Sequence, residues 1–188
     1  MTNTLQISYG TAPDYAPPHA FVSALLEKHP GNPADIVVLL DINAWYSASY
    51  VEAIKEAFAN SPAEVVGVEK EHLFHIPSRT WQCVCNDKAA TLPMLAFRRS
   101  AAAIVLGLLR RGRDIGPALW KIGGLRRKLI PNKGPDGLLR CICFRGFPGD
   151  DSVVNRPLKR KDAHLAWLGK NMGSKDAAER FVRELTPA

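Results

Sequence analysis

The pattern of hydrophobic and polar positions is clearest in the stretch around Asp41. An unbroken apolar run, residues 36–40, ends at this acid, and apolar residues at helical spacing then recur over residues 46–60. Residues 64–68 form a second short run that is apolar after its first residue. Short unbroken apolar runs are typical of strands buried on both faces, as in parallel sheets. The order strand, helix, strand with short links therefore predicts a right-handed parallel crossover.

Weaker patterns extend this alternation towards both ends of the chain. Further strands are predicted at residues 5–9, 72–76, 80–85, 93–97 and 138–144. Further helices are predicted at residues 19–29, 100–111, 114–120, 161–168 and 175–185. We therefore expect an α/β fold, with a mixed, mainly parallel sheet flanked by helices in residues 1–151 and a helical extension in residues 152–188.

Asp41 is the first candidate for a functional residue. It lies at the carboxyl end of the predicted central strand, which is where open α/β sheets form their ligand crevice. The alternative is that its carboxylate only caps the following turn or helix, a common use of Asp. The apolar run and the acid predict the position of a site but do not decide between these two roles.

Positive charge is concentrated in one part of the chain. The net charge is +7, and residues 98–145, called the basic segment below, contain twelve Lys and Arg but only two Asp. The basic segment therefore carries about +10 and the rest about −3. Such a concentration indicates an anionic partner, namely nucleic acid, nucleotide phosphates or an acidic lipid surface. A solvated basic face without a specific partner is the alternative.

The four cysteines form two Cys-x-Cys pairs, Cys83/Cys85 and Cys141/Cys143. Residues two apart on a strand share a face, so each pair can point into one environment. A tetrahedral zinc site and small buried thiols are the two interpretations, and the apolar neighbours favour the second. With no signal-peptide pattern and no apolar stretch of bilayer length, we expect a cytoplasmic protein without a membrane span.

Several short motifs, taken in order, resemble family 2 glycosyltransferases of the GT-A fold. The segment from Val38 through Asp41, Asn43 and Trp45 to Tyr50 resembles the family's Asp-x-Asp strand end and the helix after it. Residues 95–100, Leu-Ala-Phe-Arg-Arg-Ser, resemble its Phe-Arg-Arg strand end. Asp114 with Trp120 resembles the region that places an acid near the acceptor. Residues 145–149, Arg-Gly-Phe-Pro-Gly, resemble a turn of glycosyltransferase-like proteins of phage genomes.

This resemblance implies a reduced GT-A-like, Rossmann-like fold and a set of site residues. Asp41 and Asn43 would hold Mn²⁺ or Mg²⁺. Asp41, Trp45, Arg98 and Arg99 would bind the nucleotide-sugar donor, with the arginines on its phosphates. Asp114 would act as the catalytic base on the acceptor hydroxyl. The acceptor would be anionic, either modified DNA or an acidic glycan, and the location would be the host cytoplasm for a phage-borne gene.

Two other functions stay open at the level of the sequence. Asn43 and Ala44 stand where the family commonly has acids, which leaves Asp41 as the only carboxylate of the motif. A GT-A fold retained as a structural partner, without catalysis, agrees with these replacements. The third possibility is a non-catalytic basic α/β module that binds nucleic acid or serves in an assembly through its basic segment.

Overall fold

The computed structural model describes residues 2–9, 18–84, 89–111, 115–146 and 158–186. The strands within these ranges are β1 (Thr4–Tyr9), β2 (Ile36–Asp41), β3 (Ala44–Tyr46), β4 (Val65–Val68), β5 (Glu71–His75), β6 (Thr80–Val84), β7 (Leu95–Arg98), β8 (Arg127–Ile130), β9 (Cys141–Arg145) and β10 (Arg160–Lys161). The α-helices are α1 (Pro18–Lys28), α2 (Tyr50–Ala59), α3 (Ala102–Arg110), α4 (Ile115–Leu119), α5 (Ala166–Met172) and α6 (Lys175–Glu184). Short 3₁₀ turns, Leu92–Met94 and Arg99–Ala101, flank β7.

The first sheet has the strand order β1-β2-β7-β4-β8. Strand β1 is parallel to β2 and β4 is parallel to β8, whereas β7 is antiparallel to both of its neighbours, β2 and β4. Four of the five strands therefore run in one direction, and their carboxyl ends share one edge of the sheet. The predicted mixed α/β architecture is confirmed.

Strand β2 is buried on both faces, as its unbroken apolar run predicts. Ile36 and Val38 pack in a cluster that includes the apolar side of α2, and Val37 and Leu39 pack in a second cluster with α1 and α3. All four side chains are at most 4% exposed. Burial of an aliphatic side chain of this size contributes about 1.5–3 kcal/mol to the free energy of unfolding.

A second sheet, not expected from the sequence, has the strand order β10-β6-β5-β9-β3. In it β5 is parallel to β9, and the other pairs are antiparallel. Ala44 and Cys143 on one face join the cluster of α2, while Phe74 and Phe144 on the other face pack beneath α5 and α6. The described part of the predicted helical extension thus shares a core with the second sheet.

Truncation of Phe144 tests this shared core. Its ring is fully buried, 5.8 Å from the Phe74 ring and 4.8 Å from the Phe181 ring on α6. We expect Phe144→Ala to lower the free energy of unfolding by about 3–5 kcal/mol, because the vacated volume lies in a packed core. Urea unfolding measures this loss, and Phe21→Ala, at a site 36% exposed on α1, is the control. Equal losses in the two variants would contradict the shared core.

Candidate functional site

Asp41 is the last residue of strand β2, and its carboxylate closes the turn that follows. Its Oδ1 accepts a hydrogen bond from the Asn43 backbone N–H at 2.9 Å, and the residue is only 5% exposed. The Ile42 N–H donates to the Tyr9 carbonyl at 2.8 Å, so the turn stays attached to β1. Asx turns of this kind redirect a chain within two residues. Asp41 therefore has the turn-capping role that the sequence allowed, at the sheet edge where the sequence predicts a site.

Tyr46 fixes the end of β2 from the other side. Its hydroxyl accepts a hydrogen bond from the Asp41 N–H at 2.8 Å and donates one to the Pro93 carbonyl at 2.7 Å. Its ring lies 4.7 Å from the ring of Tyr50, the first residue of α2. One phenol therefore connects β2, β3 and the turn before β7, and holds the backbone of the candidate site in place.

The groups around Asp41 are mostly neutral. Burial raises the pKa of the Tyr9 hydroxyl well above its usual range, and the neighbouring Asp41 carboxylate raises it further. Burial likewise raises the pKa values of Tyr46 and Tyr50, with Cys141 as the next contribution. These phenols stay protonated at neutral pH, so they place no second negative charge beside the Asp41 carboxylate.

The buried thiols of Cys141 and Cys143 belong to the same environment. A hydrogen bond with the Cys141 side chain is the main cause that raises the pKa of the Cys143 thiol, followed by burial. Both are free and at most 1% exposed, and they share a face of β9 as their spacing predicts. Cys83 is partly buried, and Cys85 lies outside the described residues.

A polar pair on the second sheet lies close to these thiols. Arg145 Nη2 is 4.0 Å from Glu71 Oε1, and both charges act on the Cys143 thiol. Arg145 follows Phe144, whose N–H donates to the Asn43 carbonyl at 3.0 Å. The backbone of Arg145 therefore lies next to the Asp41–Asn43 turn, while its guanidinium contacts Glu71 and the Phe144 carbonyl. The short Asp-x-Asn motif alone contains no signal for this neighbour, which strand pairing brings close.

Gly146 is the one described residue of the predicted Gly-Phe-Pro-Gly turn. Its φ of +75° lies in the left-handed region, and a Cβ there would come within 2.7 Å of His75 Nε2 and Pro77 Cδ. Only glycine fits this position without displacing its neighbours. Residues 147–149 lie outside the described residues, as does the predicted base Asp114.

Two of the predicted donor-binding residues lie away from Asp41. The register pairs Arg98 with Ile36 at the start of β2, five residues from Asp41, or roughly 17 Å along the strand. Arg98 donates to the carbonyls of Ala63, Ala34 and Phe58. The structure does not bring Arg98 and Asp41 together, because β7 runs antiparallel to β2 and ends at the opposite sheet edge.

Arg99 lies at that same opposite edge. Its guanidinium donates to the Leu26 carbonyl at 2.9 Å and to the carbonyl of His29, and so ties the end of α1 to β7.

Trp45 is separated from Asp41 in another way. Successive strand residues face opposite sides, and the Trp45 side chain packs in the cluster of α5 and α6, whereas Ala44 and Tyr46 face the first sheet.

The predicted metal ligands are adjacent in the turn. Asn43 is 7% exposed, and the Asp41 carboxylate accepts its backbone N–H. Among the described residues, no group of three or more His, Cys, Asp and Glu side chains is arranged to hold a metal ion. Mg²⁺ is often held by only one or two carboxylates, with substrate phosphates completing its shell. The single carboxylate of Asp41 fits the lower limit of that requirement.

Many arginines of the basic segment are used inside the fold. Five guanidiniums of its described part donate to backbone carbonyls, those of Arg98, Arg99, Arg127, Arg140 and Arg145. Two approach carboxylates, Arg126 near Glu64 at 3.4 Å and Arg145 again, near Glu71. In the described part of the segment, the cations outside these contacts are Arg110, Arg111, Lys121, Lys128 and Lys133. About half of the described cations of the segment therefore have a partner within the fold, although a guanidinium bonded to a neutral carbonyl keeps its charge.

Removal of the Tyr46 hydroxyl tests its role at the end of β2. Tyr46→Phe leaves the Asp41 N–H and the Pro93 carbonyl without this partner, so we expect the free energy of unfolding to fall by about 1–3 kcal/mol. Tyr50→Phe is the matched control, since the Tyr50 hydroxyl is buried with no hydrogen-bond partner among the described residues. Its removal should be neutral or slightly stabilising. Chemical denaturation of both variants measures the difference, and equal effects would contradict the bridging role.

Asp35, at the amino end of β2, predicts a pH dependence of stability. The backbone N–H of Asn3, at 2.9 Å from its Oδ1, is the main cause that lowers the pKa of Asp35 below its ordinary value of 3.8. A lowered folded-state pKa means that the ionised carboxylate stabilises the fold above that value, and that this contribution is lost as pH falls through the folded pKa.

The comparison of wild type with Asp35→Asn checks this sign. We expect the variant to be less stable at neutral pH. The gap, meaning the difference in the free energy of unfolding between wild type and variant, should narrow as the pH falls below about 4. Unfolding free energies measured between pH 7 and pH 3 give the gap directly. A gap that stays constant over this range would show that the Asp35 carboxylate charge does not stabilise the fold.

Comparisons of the chain with protein-family profiles, with curated proteins and with solved structures yield no significant match. In the described part of the chain, no helix is both long and apolar enough to cross a membrane.

Proposed function

We propose that this chain is a small glycosyltransferase of the GT-A type, which transfers a sugar from a nucleotide-sugar donor to an acceptor hydroxyl. The observation that carries the proposal is the place of Asp41. It ends an inner strand of a mixed sheet in which four of the five strands run in one direction, and its backbone is held by the Asn43 turn and by Tyr46. Crevices at the carboxyl ends of such strands are the usual ligand sites of α/β folds.

The direction of the strands supports this place for the donor. Tyr9, Asp41, Val68 and Ile130 are the last residues of the four strands that run in one direction, so they share one sheet edge. The second sheet begins directly beyond this edge, because β3 starts three residues after Asp41. A ligand at the edge would therefore contact both sheets.

In the proposed donor site, Asp41 and Asn43 hold Mn²⁺ or Mg²⁺ together with the donor diphosphate. When bound, the divalent cation supplies Lewis-acid stabilisation of the charge on the leaving diphosphate. Strand pairing brings the backbone of Arg145 next to the turn, and its guanidinium would have to leave Glu71, 4.0 Å away, to stabilise the charge of a leaving phosphate. The predicted phosphate contacts of Arg98 and Arg99 are not part of this site, since both lie at the far edge of the sheet.

The acceptor half of the proposal depends on Asp114. Its carboxylate would take the proton of the acceptor hydroxyl as general base, in the role that the resemblance implies. An anionic acceptor, either modified DNA or an acidic glycan, suits the exposed cations of the basic segment, Arg110, Arg111 and Lys121 among them.

The alternative of a non-catalytic basic module has less support. Six arginines of the basic segment contact carbonyls or carboxylates within the protein. A nucleic-acid module would instead use such side chains on phosphates, and its affinity would fall steeply with salt. The geometry of Asp41 therefore favours the glycosyltransferase.

Substitution of Asp41 tests the proposal. Asp41→Asn keeps an oxygen that can accept the Asn43 N–H but removes the negative charge, so we expect Mn²⁺-dependent donor binding to weaken about tenfold or more. Thermal stabilisation by a panel of nucleotide sugars, with and without Mn²⁺, identifies the donor. A ligand at about a hundred times its Kd adds about 2.7 kcal/mol of stability.

Asp35→Asn is the matched control for this experiment, because it removes the same charge from the opposite end of the same strand. This variant should keep the wild-type affinity for the donor. No stabilisation of the wild type by any nucleotide sugar would contradict the proposed function. Binding of an oligonucleotide with a steep salt dependence, in the same samples, would then favour the basic module.

A further inference from the structure

We propose that a second, separate groove on the C-terminal side of the molecule binds a small phosphorylated ligand. The groove has a volume of about 420 Å³ and lies between the turn after β5 and helix α6. Its lining residues are Arg79, His164, Leu165, Lys175, Glu179, Val182, Arg183 and Thr186. Ligand sites in proteins commonly have volumes of this order. This inference does not depend on the proposed glycosyltransferase activity.

The charges that line the groove favour a dianion. Among the described residues that line it, Arg79, Lys175 and Arg183 are positive and Glu179 is the one acid, which leaves a net charge of +2. Lys175 Nζ lies 3.6 Å from Glu179 Oε1, so the acid is already engaged. A phosphate monoester carries a charge of about −1.5 to −2 at pH 7 and balances this excess, whereas a single carboxylate does not.

The two guanidiniums are available for such a ligand. Within the described residues, neither Arg79 nor Arg183 has a carboxylate oxygen within 4.0 Å. Arg79 donates from Nη1 to the Ala163 carbonyl at 2.8 Å, which holds its side chain in place and leaves its other N–H donors for a ligand. The planar guanidinium fork matches pairs of phosphate oxygens, and the bonds that it forms are charge-assisted.

The backbone of the groove is strained at two of its residues. Arg79 and Leu165 have φ angles of 46° and 54°, and they are two of the three described non-glycine residues with positive φ. The Asp162 N–H donates to the Arg79 carbonyl at 2.8 Å, and the Leu165 N–H donates to the Asp162 carbonyl at 3.0 Å, so the two strained residues are linked. Left-handed conformations of side-chain-bearing residues cluster at ligand clamps.

The floor of the groove indicates what the rest of the ligand, apart from its phosphate, is like. Leu165 and Val182 are 4% and 9% exposed and form an apolar floor, while the cations stand around the rim. The Thr186 hydroxyl donates to the Val182 carbonyl at 2.8 Å and so closes the end of α6. A ligand with a sugar-sized group on the apolar floor and its phosphate between Arg79 and Arg183 fits this arrangement of apolar and charged residues. We therefore assign the groove to a sugar phosphate or a ligand of similar size.

Titration with defined anions tests the groove. Glucose 1-phosphate, inorganic phosphate and acetate are added to ¹⁵N-labelled protein at constant ionic strength, and the amide chemical shifts are followed. We expect saturable shifts at Arg79, Leu165 and Arg183 for both phosphates, tighter binding of glucose 1-phosphate, and no saturation with acetate. Arg183→Gln should weaken phosphate binding about tenfold, the effect of one lost charge-assisted hydrogen bond.

Arg180→Gln is the charge-matched control, since Arg180 is an exposed residue of the same helix that does not line the groove. It should bind glucose 1-phosphate as the wild type does. Arg79→Gln provides a second groove variant, and melting temperatures verify that all variants fold. Equal weakening in the Arg180 and Arg183 variants, or unsaturated shifts spread over all surface cations, would overturn the proposal. Oligonucleotide binding that weakens equally in the Arg180 and Arg183 variants would also overturn the proposal.

Discussion

The burial of strand β2 on both faces is the constraint on which the rest of the structure depends. Its alternate residues reach into two different clusters, one with α2 and one with α1 and α3, so the strand cannot shift its register without exposing both sets. The strand has to stop where its apolar run stops. Asp41 therefore comes to the edge of the sheet by necessity, and the Asn43 turn and the Tyr46 hydroxyl fix its backbone there.

Arginine side chains stabilise this fold by hydrogen bonds to backbone carbonyls. Strand ends and helix ends leave carbonyls without partners, and Arg98, Arg99 and Arg127 satisfy several of them from a distance in sequence. A long side chain with a forked donor group can reach two or three carbonyls at once. This explains how a strongly basic stretch can stabilise the fold itself, since six of its arginines contact carbonyls or carboxylates within the protein.

The two sites inferred for this protein differ in construction. The edge around Asp41 is largely buried, is surrounded by neutral phenols and thiols, and holds its carboxylate in a rigid turn. The groove of Arg79 and Arg183 is open, cationic and built on strained backbone that links the second sheet to the C-terminal helices. The first is the site proposed for the donor, and the second is the site proposed for a phosphorylated ligand.

The sequence by itself determined the buried strand β2, the acid at its end, helix α2 and the mixed α/β class, because hydrophobic periodicity is a local property. The second sheet required tertiary structure. Residues 44–46, which include the first residue of the predicted helix 46–60, form β3 because they pair with β9. Residues 127–130, Arg-Lys-Leu-Ile, form β8 because they pair with β4. Strand direction decided which residues lie near Asp41: β7 runs antiparallel, so Arg98 lies far from it, while strand pairing brings the backbone of Arg145 next to the Asp41–Asn43 turn. The hydrophobic pattern of a single chain does not show which strands pair. Only the tertiary structure therefore decides how far Arg98 and Arg145 lie from Asp41.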